Sequence, residues 1–183
     1  MQPITAPALQ QQPRFFCDEM LGRLSRYLRA AGFDTRLASN GAPDSIILSE
    51  AIHEKRWLLT RDRLIIERKA AQDYVILLPD GDLDNHAKAL SSLFELDWLR
   101  HSFTRCLVDN NLLVEASLEQ RERIPHHSRH SHEFSLESVR VCPVCSRIYW
   151  RGSHYRRMQE TLFRWQGLLG STDNQISVIE RAC

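Results

Sequence analysis

The chain has no run of 18 apolar residues, and no basic stretch leads into an apolar one near its N-terminus. The first absence excludes a membrane-spanning helix and the second a secretory signal, so the expectation is a cytoplasmic protein without a membrane partner. Lysine is nearly missing, with 3 residues against 21 arginines. No glycine-rich phosphate loop occurs, and no Ser–His–Asp or Cys–His arrangement points to nucleophilic catalysis. Five cysteines are too few and too unevenly spaced for a disulfide framework. A formal net charge of +1 supplies no global field that would draw the chain onto a polyanion.

The 183 residues are 43% hydrophobic, enough to bury a core in one domain or in a domain with a small appendage. The arginine bias suits phosphate recognition, because a guanidinium offers a planar fork where lysine offers a point charge. Codon bias accounts for it equally well.

Two short apolar strands each end in an aspartate: Phe15-Phe16-Cys17-Asp18 and Trp57-Leu58-Leu59-Thr60-Arg61-Asp62. Each precedes an amphipathic helix. In an alternating strand–helix chain the strands run parallel and their carboxyl ends share one sheet edge, where open α/β folds place their ligands. Carboxylates gathered there repel, and a divalent cation relieves the repulsion. The chain therefore reads first as a metal-dependent enzyme, with phosphodiester hydrolysis as the chemistry best served.

Residues 1–13 mix Pro, Gln and Ala without periodicity and read as a disordered leader. The α/β unit spans 14–100. It begins with a strand at 14–17 and a helix over 19–31 that buries Met20, Leu21, Leu24, Tyr27, Leu28 and Ala31, closed by Gly32 as a left-handed cap. A second strand at 33–38, a helix from Asp44 carrying Ile46, Ile47, Ala51 and Ile52, and a strand at 57–60 follow. A helix over 63–71, a strand at 74–78, an acidic loop at 79–84 and a helix over 85–95 complete the unit. From 101 to 166 the chain reads as a small β module with strand-like segments at 103–118 and 139–150, a His-rich loop at 126–132, and a closing helix over 154–165. Residues 167–183 show little pattern and read as a loosely held tail.

Asp18, Asp44 and Asp62 can face one edge and offer hard oxygen ligands to Mg²⁺ or Mn²⁺. Such an ion activates water for attack on a phosphodiester. The acidic loop, Asp82 included, could add a fourth ligand. Against this, Asp44 and Asp62 are good helix caps whatever the function, and the acidic loop is most simply a solvated turn. Arg23, Arg26 and Arg29 recur every third residue on one flank of the first helix. They either neutralise the carboxylates, touch a phosphate backbone, or form an ordinary solvated face.

Cys142-Pro143-Val144-Cys145 has the spacing of a metal knuckle, and Cys106 lies upstream in a similar context. A structural zinc site needs four ligands. The position three residues after Cys106 is Asp109, so a Cys₃Asp site is possible, a loop histidine could close the tetrahedron instead, or the ribbon stands without metal. Cys17 reads as a buried apolar residue.

The run Asp18-Glu19-Met20-Leu21-Gly22-Arg23-Leu24-Ser25-Arg26-Tyr27-Leu28-Arg29, followed by Gly32-Phe33-Asp34, resembles the opening of the exonuclease Mut-seven C-terminal RNase family. Leu58-Leu59-Thr60-Arg61-Asp62 resembles its second acidic block. Phe103-Thr104-Arg105-Cys106 and Cys142-Pro143-Val144-Cys145 resemble its two knuckles, and residues 149–155 the stretch that closes the ribbon. The resemblance implies a PIN-like parallel sheet flanked by helices, followed by a small zinc-ribbon-like β module. It implies a ribonuclease, with Asp18, Asp44 and Asp62 as metal-binding catalytic acids. The second knuckle cysteine is Asp109 here, and the fourth acid of PIN-like sites has no clear match. Arg23, Arg61 and Arg151 are the residues placed to steer phosphates of RNA, with ribosome or tRNA association as a further partner. A non-catalytic RNA- or ribosome-binding adaptor on the same fold is the rival reading.

Overall fold

The computed structural model describes residues 12–67, 73–125 and 135–167. Four strands, β1 (Phe15–Cys17), β2 (Thr35–Leu37), β3 (Trp57–Thr60) and β4 (Val75–Leu77), form an all-parallel sheet in the order β2-β1-β3-β4. Phe16 pairs with Arg36 on one side and Leu58 on the other, which puts β1 in the interior of the sheet. Parallel strands require crossovers, and helices α1 (Gly22–Ala30) and α2 (Asp44–His53) supply the first two. Helix α3 (Arg63–Ile66) precedes β4, and α4 (Leu83–Phe94) follows it.

Strand side chains alternate between faces, so the sheet has two cores. Phe15, Cys17, Leu59 and Ile76 pack against α1 and α4. Phe16, Leu58 and Val75 pack against Ile47, Leu48 and Ala51 of α2 and Ile65 of α3. These strands are apolar throughout because both faces are covered.

Several boundaries differ from the sequence expectation for identifiable reasons. The first helix opens as a 3₁₀ turn, Glu19–Leu21, whose different pitch leaves Met20 55% exposed rather than buried. Ile46 is likewise exposed in the first turn of α2. Gly32 adopts a left-handed φ of 94°, as its capping position requires. A Cβ there would also run into the carbonyl oxygen of His101. The expected helix over 63–71 is described only to Ile66, and residues 68–72 lie outside the described residues, as do the His-rich loop, the tail and most of the leader.

The second module is a three-stranded antiparallel sheet: β5 (Val114–Glu115), β6 (Arg140–Val141) and β7 (Ile148–Tyr149). The long strand-like segments of the sequence shrink to two-residue strands because each is interrupted by a turn. A short helix α5 (Leu118–Glu122), not foreseen, starts at a capping box in which Ser117 and Gln120 satisfy each other's backbone N–H. The last helix, α6 (Ser153–Gly167), returns to the first module. Its Met158, Leu162 and Trp165 lie in the same core as Phe15 and Leu28. The Trp165 ring packs 4.9 Å from that of Trp98 and 5.1 Å from that of Tyr27, and its indole N–H donates to Asp84 at 2.7 Å. Asp84, read from sequence as part of a solvated turn, is thus committed to α6. Among the described residues no helix is long and apolar enough to cross a membrane.

Candidate active site and metal centre

The sheet order places β1 and β3 side by side, with the connections leaving β1 in one direction and returning past it to β3. This reversal is the switch point at which doubly wound sheets bind ligands beyond their strand ends. Asp18 immediately follows β1, and its backbone N–H donates to Leu59 O on β3. Its side chain accepts from the Thr60 hydroxyl at 2.7 Å and from the Glu19 N–H at 2.6 Å. The residue is only 7% exposed, yet among the described residues no arginine, lysine or histidine pairs with it.

Thr60 is fully buried at the end of β3 and links the two aspartates: its hydroxyl donates to Asp18 and accepts the Asp62 N–H at 3.0 Å. Sequence reasoning missed this role, although a hydroxyl closing the apolar run Trp57-Leu58-Leu59 was a visible signal. Asp62 caps α3 by accepting from Leu64 N–H at 2.8 Å. Asp44 occupies the first turn of α2, whose N-cap is Pro43. Glu19 accepts from the Gly41 N–H at 2.7 Å, tying the loop that leads into Asp44 to the segment carrying Asp18.

The acidic loop lies after β4 on the same edge. Asp82 caps α4, one oxygen accepting from Asp84 N–H and Asn85 N–H at 3.0 Å each. Its other oxygen has no partner among the described residues. Asp80 pairs with Arg61 at 3.2 Å in an exposed contact. Arg23 is exposed on the first turn of α1, whereas Arg151 lies beyond β7, its guanidinium 6.0 Å above the Tyr155 ring.

The arginine stripe of α1 is not a uniform solvated face. Arg29 is 4% exposed and donates to the carbonyls of Thr35, Leu107 and Val108 at 2.7–3.0 Å. Burial lowers its pKa, its largest influence. It joins α1 and β2 to the start of the second module. At the sheet's opposite edge Asp34 accepts from Arg56, Arg14 and the side chain of Asn110. Burial alone would raise Asp34, but these donors hold its carboxyl far below the usual carboxylate range. Cys17 is buried with its thiol pushed far up by desolvation, which makes it inert as a nucleophile.

Cys106, Asp109, Cys142 and Cys145 converge, their ligand atoms all within 4.8 Å of one another. Among the described residues this is the one group of three or more such side chains that closes to that extent. Asp18, Asp44 and Asp62 share an edge without doing so. Both halves of the cluster are the same turn: Asn110 N–H reaches Cys106 O and Ser146 N–H reaches Cys142 O, each at 3.0 Å. Asn110 and Ser146 both have left-handed φ, 70° and 58°. Asp109 therefore occupies the position that Cys145 holds in the second turn. The Cys106 and Cys145 sulfurs are 3.6 Å apart. Ligands on a tetrahedral zinc with bonds of about 2.3 Å stand about 3.8 Å apart, so the residues fit. The Tyr149 hydroxyl lies 3.1 Å from the Cys106 sulfur and accepts from Leu107 N–H. The cluster can hold a metal ion such as zinc.

The structure is a mixed α/β protein with aspartates at one edge of its parallel sheet and a small β module whose Cys/Asp cluster could hold a metal ion. A family model for the Mut7-C RNAse domain matches residues 13–162, and the chain belongs to that family. No curated protein and no solved structure matches it.

Proposed function

We propose that the protein is a metal-dependent ribonuclease of PIN-like fold, acting on cytoplasmic RNA at the edge formed by Asp18, Asp44 and Asp62. Membership of an RNase-domain family supports the reaction class. The observation that carries the site is Asp18: a nearly buried carboxylate with neutral hydrogen-bond donors and no cationic partner among the described residues. An uncompensated buried charge is costly, and a divalent cation at the edge offsets that cost. Asp18, Asp44 and Asp62 would hold Mg²⁺ or Mn²⁺, with the free oxygen of Asp82 as a further ligand. The ion supplies an activated water and charge stabilisation for phosphodiester hydrolysis.

The chain's own residues contribute orientation. Thr60 fixes one oxygen of Asp18 and, through the Asp62 N–H, the position of the second acid. The Glu19 contact to Gly41 holds the approach to Asp44. Arg23 and Arg61 flank the edge and would meet phosphates, Arg61 after leaving Asp80. Zinc in the Cys106, Asp109, Cys142 and Cys145 cluster would be structural, holding the two turns together. Association with the ribosome or with tRNA is the further partner within this reading.

A second reading, an RNA- or ribosome-binding adaptor, draws on the capping roles of Asp62 and Asp82, each of which spends an oxygen on a helix start. Manganese titration of the wild-type protein and Asp62→Asn, with RNA cleavage measured in parallel, separates the two. The enzyme loses both metal binding and cleavage on substitution, whereas the adaptor binds RNA irrespective of either.

A further inference from the structure

Between the second module, α1 and the start of α6 lies an open groove of about 770 Å³. Five arginines line it, Arg26, Arg105, Arg140, Arg147 and Arg151, and no aspartate or glutamate does. In a chain of net charge +1 this is a strong local concentration of one sign. Arg105 and Arg140 donate to backbone carbonyls only, and none of the five has a carboxylate partner among the described residues. Among the described residues, then, no carboxylate neutralises them.

Aromatic rings share the same wall. The Phe103 and Tyr155 rings are in contact, with centroids 4.1 Å apart and planes tilted by 36°, and Arg151 stands over Tyr155. Trp150 lines the groove as well, with its indole N–H buried toward the second module and without an acceptor among the described residues. Guanidinium groups interleaved with half-exposed rings are the combination that binds single-stranded nucleic acid: cations track phosphates while rings accept unstacked bases. A protein acidic segment would use the charges but not the rings. A duplex presents its bases already stacked and leaves those rings without a role.

Arg26 connects the groove to the acidic edge. It lies on α1 four residues after Gly22, about 6 Å along the helix axis from the end nearest Asp18. Arg23 lies between them on that helix. We propose that this groove binds single-stranded RNA and presents it to the acidic edge, so that substrate is held at a site distinct from the one that cleaves it. The proposal rests on the ribonuclease reading for what happens at the edge, but the binding site stands on its own residues.

The test is fluorescence anisotropy with a short labelled oligouridylate, using the full chain in buffer without added divalent cation. The proteins are wild type, Lys88→Ala, the double variant Arg147→Ala/Arg151→Ala, and Arg26→Glu. Both groove variants should bind at least about tenfold more weakly, with unchanged circular dichroism. Loss of two phosphate contacts should also reduce the slope of log affinity against log salt by about 1.4. Lys88→Ala, which removes an exposed cation of α4 outside the groove, should bind like wild type. A duplex of the same length should compete poorly. Wild-type affinity in both groove variants, or no binding by the wild-type protein, overturns the proposal. Groove-dependent binding without metal-dependent cleavage overturns the ribonuclease reading and leaves the groove in place.

Discussion

The Thr60 hydroxyl lies 2.7 Å from one carboxylate oxygen of Asp18 and 3.0 Å from the backbone nitrogen of Asp62. One buried side chain at a strand end thereby sets two acids on adjacent strands in register. Thr60→Val keeps the shape but removes the donor, leaving a buried carboxylate oxygen unsatisfied. The expected cost is about 1–3 kcal/mol in urea unfolding, together with a loss of cleavage of about tenfold or more. Thr60→Ser should recover most of both. Equal activity in Thr60→Val and wild type would remove Thr60 from the site.

Asn110 joins the two modules across 76 residues, donating to Asp34 at 2.6 Å while accepting the Thr35 N–H at 2.9 Å. It also holds a left-handed φ that asparagine tolerates better than other non-glycine residues. Asn110→Ala loses both bonds and strains the turn, an expected loss of about 2–3 kcal/mol by thermal or chemical unfolding. Asn110→Gly, relieved of the strain, should lose less.

These two residues show where sequence reading stops. The strand–helix alternation and the aspartates at strand ends were legible, because apolar runs and their terminating charges are local signals. So was the Cys-x-x-Cys knuckle, whose spacing reflects the turn that carries it. Arg29 was not, because a period of three on a helix looks the same whether the side chain meets water or the carbonyls of residues 107 and 108. Asn110 and Asp84 act on partners 76 and 81 residues away, and no local pattern encodes such pairing. The strands of the second module were overextended because their β-rich composition continues through the turns that carry Cys106, Asp109, Cys142 and Cys145.

Asp34 gives a pH signature. Its folded pKa lies far below the ordinary carboxylate value, so its stabilising contribution is full above the unfolded pKa of about 4. That contribution is lost as pH falls through and below that value toward the folded pKa. Urea midpoints of wild type should decline steeply below about pH 4. Asp34→Asn should be less stable at neutral pH and show a shallower decline in acid. Parallel profiles for the two proteins would mean that other carboxylates govern acid unfolding.

The cluster of Cys106, Asp109, Cys142 and Cys145 predicts an asymmetric response to substitution. With zinc loaded into the cluster, Cys142→Ser should weaken its binding and lower the melting temperature of the loaded protein, because metal binding is coupled to folding of the turns that hold it. Asp109→Cys replaces a carboxylate with a softer thiolate and should bind zinc more tightly in a chromophoric chelator competition. Weaker binding in Asp109→Cys would show that the first turn is shaped for a carboxylate.

The most direct measurement is cleavage of end-labelled RNA by wild type, Asp18→Asn and Asp62→Asn in Mn²⁺, Mg²⁺ or EDTA. Cleavage that requires the divalent cation and falls at least about a hundredfold in both variants is the predicted result. Cleavage unchanged by either substitution, or undiminished in EDTA, would contradict the assignment of the acidic edge as the catalytic site.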